Sequence, residues 1–276
     1  MIRTDLALEL TENSSDSEGI ISSEKRLGGV IVTEIEIVTD SAAERLGKQK
    51  GKYITLTLDS ISAALTDSDT ESAVFDAVAK LLPQGTILFA GLGNRGITPD
   101  ALGPATADLI LATRHIDGEL SKSLGLEGLQ RVAVISPNVL GNTGIEAAET
   151  VSAAVEITEP AAVVVVDALA ARSIDRLGKT IQISNTGISP GAGVGNRRRE
   201  MSENTLGVPV ISIGIPTVVD LSTLIFDLCG KDTDKQEIVT PKDIDLIISR
   251  GAKLLARSLN RVFQPNIPIE DIEELI

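Results

Sequence analysis

The chain has no tryptophan, a single histidine, a single cysteine, a single tyrosine and four phenylalanines among its 276 residues. One cysteine, Cys229, cannot close an internal disulfide, which suits a reducing, intracellular setting. His115 has no companion histidine and no HExxH context, so it reads as a structural residue and zinc hydrolysis has no ligand set. Few aromatic side chains leave few platforms for stacking bases. With 25 Lys and Arg against 39 Asp and Glu, the net charge of −14 also repels phosphate backbones, so direct nucleic-acid binding is not expected and a basic or neutral partner fits better. The longest apolar run, Ala161–Val166, is too short to span a bilayer, and the N-terminus lacks the apolar stretch of a signal peptide. A soluble protein without membrane contact is the expectation. Nothing calls for a cofactor or a metal, and neither an internal repeat nor a linker is visible.

What is present is the patterning of an α/β enzyme. The segments 30–38 (VIVTEIEIV) and 52–60 (KYITLTLDS) alternate apolar and polar residues and predict strands with one wet face, joined by a short helix that Gly47 closes. Beyond residue 70, helix and strand alternate. Helices are expected over 69–82, 102–114, 143–156, 217–229 and 241–262, and buried strands in ILFAGL, VAVISP, VVVVDA, TIQISN and PVISIGI. Apolar runs without strict alternation indicate a mostly parallel sheet covered on both faces. The expected division is one domain over 1–276, with a mobile N-terminal segment (1–29), a β extension (30–60) and an α/β core (70–262). The polar, serine-rich stretch 12–24 reads as a mobile loop, and QPNIPIEDIEELI as a terminal arm that packs or pairs with another subunit.

Two aspartates follow apolar runs. Asp100 ends TILFAGLGNRGITPD, and Asp167 directly follows four valines. Carboxyl ends of strands in an open α/β sheet are where ligands meet reacting groups, so the two are candidates for one site. Each also has a plain reading as a helix N-cap; for Asp100, beside the helix expected from Ala101, the motif alone favours the cap. Two neighbouring carboxylates cannot both ionise freely, so a shared proton would supply an acid and a base for hydrolysis. The glycines at 91, 93 and 96 spell GxGxxG, but Pro99 and Pro104 interrupt the helix that a dinucleotide site needs.

A third constellation is TIQISNTGISPGAGVGNRRRE, residues 180–200. Its glycines, Gly191 and Gly193 among them, let a backbone approach a ligand and present amides to a developing oxyanion. Arg197, Arg198 and Arg199 form the one dense basic run of an acidic chain; they read either as a solvated or subunit-contact surface or, together with Arg172, as a dock for an acidic side chain of a substrate. SPNVLGNTGIEAAE (136–149) repeats the strand, turn, helix logic with a Thr143 cap and reads as another wall of the site. Cys229, after LIFDL, reads as a small buried hydrophobe.

These motifs resemble the germination proteases, or spore proteases, of endospore-forming bacteria. The likeness runs through RTDLALE (3–9), VTEIEIVTDSAAERLGKQKGKYITL (32–56), GLGNRGITPDALGP, PNVLGNTGIEAAE, VVVVDALAAR, the glycine loop and TLGVPVISIGIPTVVD (205–220). It implies an atypical aspartic-type endopeptidase whose catalytic pair matches Asp100 and Asp167. It also implies small acid-soluble spore proteins as substrates, cut after glutamate before an apolar residue, a homotetramer, a zymogen with a self-removed propeptide, and the forespore or spore core as the compartment. The implied fold is the three-layer α/β sandwich of the hydrogenase maturation proteases (phosphorylase/hydrolase-like), whose metal site this chain does not visibly supply. Only Met1 and Ile2 precede Arg3, so a propeptide is expected to be missing or reduced to Met-Ile, and Asn185 stands where the family pattern leads one to expect an aspartate. A metal-dependent maturation-type peptidase and a non-catalytic α/β ligand-binding module remain the alternatives.

Overall fold

The computed structural model describes residues 4–12, 14, 16–64, 68–116, 118–123, 128–195, 198–231, 233, 235 and 237–276. Its strands are β1 (Ile20–Leu27), β2 (Val30–Ile37), β3 (Gly51–Thr57), β4 (Ile87–Gly91), β5 (Val132–Ile135), β6 (Ala162–Ala171), β7 (Thr180–Ser184), β8 (Val210–Asp220) and β9 (Ile238–Val239). The helices are α1 (Ala7–Glu12), α2 (Asp40–Leu46), α3 (Ile61–Ala64), α4 (Ser68–Ala79), α5 (Leu102–Ala107), α6 (Gly118–Ser123), α7 (Leu140–Thr143), α8 (Ala147–Thr158), α9 (Glu203–Leu206), α10 (Leu221–Cys229), α11 (Ile244–Phe263) and α12 (Ile269–Leu275).

The strands form one sheet in the order β1-β2-β3-β7-β8-β6-β4-β5, with β9 added on β8. Its central strands β8, β6, β4 and β5 run parallel, whereas β1, β2, β3 and β7 form an antiparallel wing that joins at β8. Side-chain alternation along the parallel strands divides the core between two faces. Ile87, Phe89, Val164, Val166, Ile211 and Ile213 meet α4, α5 and α11 on one face. Leu88, Ala90, Val163, Val165 and Val210 meet α8 on the other. The result is the expected α/β sandwich of three layers. Each fully buried side chain of this kind contributes about 1.5–3 kcal/mol, so a strand apolar on both faces is held firmly in the middle.

Local chemistry sets the element ends. Gly47 closes α2 at φ 62° and Thr39 caps its start through Ala42 N–H. The helix expected over 102–114 ends at Ala107, and that expected over 217–229 begins only at Leu221. Residues 217–220 instead extend β8, and Asp220 caps α10 by accepting from Thr223 N–H at 3.0 Å. Glu146, not Thr143, caps α8, through a reciprocal box with Glu149.

Two expectations need correction, for the N-terminal segment and for Cys229. Residues 20–27, read as part of a mobile segment, form β1, paired along its whole length with β2. Its polar sequence is that of an edge strand, exposed over nearly every residue. Residues 4–9 likewise pack inward, with Leu6 and Ala7 fully buried. The C-terminal arm folds back on its own chain as α12, buries Ile272 and pairs Glu273 with Arg257. Cys229 is exposed rather than buried. Among the described residues, no helix is long and apolar enough to cross a membrane.

Candidate active site

β4 ends at Gly91, which pairs with Val166 of β6. β6 continues beside β8 to Ala171, so Asp167 is the first β6 residue beyond the end of its shorter neighbour. It therefore lies within a strand, with no helix after it to cap. Its Oδ1 accepts from its own neighbour, Ala168 N–H, at 2.9 Å, and the residue is only 5% exposed.

Asp100 arrives from the other side on a tight turn, Thr98–Asp100, whose Pro99 carbonyl accepts from Thr217 Oγ1 at 2.8 Å. Two glycines make the approach possible. A Cβ at Gly103 would lie 2.2 Å from Leu92 O and 2.4 Å from Val166 O, and one at Gly91 would lie 2.2 Å from Gly103 O, so α5 can press onto the strand ends only without side chains there. The Asp100 carboxylate does not cap α5, whose first turn has no side-chain cap. Its Oδ2 turns back and accepts from Asn94 N–H at 2.8 Å.

Asp100 and Asp167 border one cavity of about 370 Å³. Burial raises the pKa of Asp100, opposed by the Asn94 amide. Burial pushes Asp167 well above the ordinary range, and the charges of Asp100 and of a third carboxylate, Asp5, push it further. Both carboxyl groups are thus pushed toward holding a proton, Asp167 the more strongly. Asp5 is itself raised by burial, against the charge of Lys48 and the N–H groups of Ala170 and Gly193.

The other expected site residues divide. Gly191, Arg198 and Arg199 line the same cavity, as do Asn138 and Leu140 of the wall foreseen at 136–149. Arg198 lies 3.8 Å from Glu146 and Arg199 3.9 Å from Glu149, so acids at the start of α8 balance both. Gly193 packs against the Asp5 carboxylate, and its backbone amide faces that group and lowers its pKa. Arg172 is elsewhere: its guanidinium grips Asp227 at 2.6 and 2.8 Å in a separate cleft. Arg197 lies outside the described residues. Asn185 braces β3 by accepting from Lys52 N–H at 2.8 Å. Among the described residues, no group of three or more His, Cys, Asp or Glu side chains is disposed to hold a metal ion.

Asp5 has no local motif to announce it. Its carboxylate accepts from Ala170 N–H at 2.9 Å, and its own N–H donates to Ala170 O at 2.9 Å. The segment RTDLALE carried a signal only through the resemblance. Glu9, also in that segment, anchors it by accepting from Arg172 N–H at 2.7 Å and Ser173 N–H at 2.9 Å.

A germination protease profile matches residues 2–230 of the sequence. The chain belongs to the germination protease family. A germination protease of Clostridium tetani is 38% identical over 323 aligned positions, covering 100% of this chain and 99% of the relative. That of Caldanaerobacter subterraneus is 36% identical over 318, and that of a Geobacillus species 42% identical over 246, the latter covering 82% of this chain and 66% of the relative. Among solved structures, a NiFe hydrogenase maturation protease, HycI of Thermococcus kodakarensis, is similar at a TM-score of 0.41 and 18% identity, over 67% of this chain and 97% of that one. Membership of this family makes the chain a hydrolase of peptide bonds with a role in spore germination.

Proposed function

We propose that the protein is an aspartic-type endopeptidase in which Asp100 and Asp167 act as a base and acid pair on small acid-soluble spore proteins, cutting after glutamate before an apolar residue. The observation that carries this reading is the pair of sheltered carboxylates, both with raised pKa, bordering one cavity. Ionised Asp100 takes a proton from water as the water oxygen bonds to the scissile carbonyl carbon. Protonated Asp167 gives its proton to the amide nitrogen as the C–N bond breaks, which releases an amine and a carboxyl product. The proton on Asp100 then returns to Asp167 and restores the pair. Neither step needs a metal.

The acidic surface supports the substrate choice, since it attracts basic proteins and avoids the DNA they cover. The same reading takes the active assembly to be a homotetramer in the forespore or spore core, made as a zymogen, as the resemblance implies. The deciding experiment incubates a purified small acid-soluble spore protein with wild type, Asp100→Asn and Asp167→Asn, with and without chelator, and weighs the products by intact mass. Cuts after glutamate by wild type alone, unchanged in chelator, are expected. Equal cutting by either variant would remove the aspartate assignment, and loss in chelator alone would favour a metal-dependent maturation-type peptidase.

A further inference from the structure

Asp5 is held in a way that no helix cap or core contact requires. Its half-buried carboxylate accepts from Ala170 N–H near the end of β6 at 2.9 Å and faces the backbone amide of Gly193 in the glycine loop, with the Lys48 charge nearby. The fit at Gly193 is close: a Cβ there would stand 2.4 Å from Asp5 Oδ2. The backbone is gripped as well. Asp5 N–H donates to Ala170 O at 2.9 Å, and the carboxamide of Gln182 on β7 brackets the next link, giving Nε2–H to Asp5 O at 2.9 Å and accepting Ala7 N–H at 2.7 Å. The carbonyl oxygen of Asp5 takes a second donor, Lys48 Nζ, at 2.8 Å. An acidic side chain in an amide cradle, an extended backbone, two donors on the following carbonyl and a buried apolar residue, Leu6, come next to one another in chain order.

This bracket borders the candidate site. Asp5 and Leu169 line both the cavity that holds Asp100 and Asp167 and a second one of about 970 Å³ toward β3 and β7. Asp5 therefore stands at the boundary of the two cavities, and its carboxylate is near enough to raise the pKa of Asp167.

From this geometry we infer that the cradle of Ala170 N–H and Gly193 N–H is the subsite for the acidic side chain that precedes the bond to be cut, that Lys48 and Gln182 donate to the carbonyl oxygen of that bond, and that Asp5 occupies the place as an internal stand-in. The inference rests on the peptidase reading and names its specificity pocket. A carboxylate is chosen there because two N–H donors and a nearby cation give charge-assisted bonds that a neutral amide side chain makes less strongly. The same Lys48 and Gln182 donors would meet the negative charge that develops on the carbonyl oxygen when water adds. The arginines considered earlier are not needed for this: Arg172 is engaged with Asp227, and Arg198 lies beside Glu146.

The test separates binding from cleavage. The full chain carrying Asp100→Asn, alone or with Asp5→Ala, is titrated by fluorescence anisotropy with labelled peptides that copy residues 4–9 but carry Glu or Gln in place of the aspartate. With Asp5→Ala, the Glu peptide is expected to bind at least tenfold more tightly than the Gln peptide, and at least tenfold more tightly than it does when Asp5 is present. Adding Gly193→Ala should erase the preference for Glu. Equal affinities for the two peptides, no binding at all, or a preference that survives Gly193→Ala would overturn the cradle. Should Asp5→Ala not fold, Asp5→Asn keeps the shape and gives the same comparison. In an otherwise wild-type chain, Lys48→Met should lower kcat at least tenfold with little change in KM, and an unchanged kcat would remove Lys48 from the role. Selective binding without any wild-type cleavage would count against the two-aspartate chemistry alone, and cleavage without selective binding against the cradle alone.

Discussion

The two halves of the sheet contribute different things to the site. The parallel half is apolar on both faces, and it holds the two carboxylates where short β4 exposes the middle of longer β6. The antiparallel wing is wet along its outer edge, and it brings groups that grip a chain: Gln182 on β7 and Lys48 in the turn before β3. Rigid burial thus fixes the groups proposed for chemistry, while the wing and the glycine loop shape what lies across them. A site at such a seam can change its specificity in the wing without disturbing the core that sets its acid and base.

Four outcomes sharpen this comparison. The largest concerns rate: Asp100→Asn and Asp167→Asn should each lower kcat by about 10²–10⁴-fold, the range for removing one positioned acid or base. Steady-state cleavage of a small acid-soluble spore protein measures it, and residual activity near wild type in either variant would contradict the assignment.

Next is stability of the halves. Phe89→Ala, in a fully buried position of β4, should cost about 3–5 kcal/mol in denaturant unfolding. Ile21→Ser, at 60% exposure on β1, should move stability by less than about 0.5 kcal/mol. Comparable losses at both positions would mean that the edge strand matters as much as the parallel core.

A third outcome has the opposite sign to the first. Asp167 has a folded-state pKa well above its ordinary value of 3.8, so above that value the folded chain binds more protons than the unfolded one, and stability falls as pH rises through the raised pKa. Asp167→Asn removes this loss. It should melt higher than wild type at neutral pH, by about 2–4 °C for each kcal/mol recovered, with the gap narrowing at acid pH. Melting curves across pH check it, and a variant that melts lower at neutral pH would contradict the burial argument.

The smallest outcome is at Arg172. Its ion pair with Asp227 is partly exposed, so Arg172→Ala should cost less than about 1 kcal/mol and leave cleavage within about twofold of wild type. A large rise in KM for glutamyl substrates would restore Arg172 as a substrate dock.

Much of the parallel half was legible in the sequence, because its strands are apolar runs whose ends coincide with glycine and proline. Asp100 and Asp167 stood out for the same reason, each following such a run. Their local readings as helix caps failed for tertiary reasons: Asp100 turns back to the Asn94 amide, and β6 runs on past Asp167 because β8 pairs with it. The 217–229 segment misled in the same way, since the β-branched residues Thr217, Val218 and Val219 serve a long strand before α10 begins. β1 was illegible because an exposed edge strand carries no apolar face to betray it. Asp5 was hidden because its partner Ala170 is 165 residues distant in sequence, a pairing that no local pattern encodes.

The pH dependence of kcat/KM for the wild-type enzyme on a glutamyl peptide tests the central claim most directly. If Asp100 must be ionised and Asp167 protonated, the profile is bell-shaped, rising as Asp100 loses its proton and falling as pH passes the raised pKa of Asp167. A profile that stays flat from acid to alkaline pH, or one whose alkaline limb persists unchanged in Asp167→Asn, would contradict the two-aspartate account.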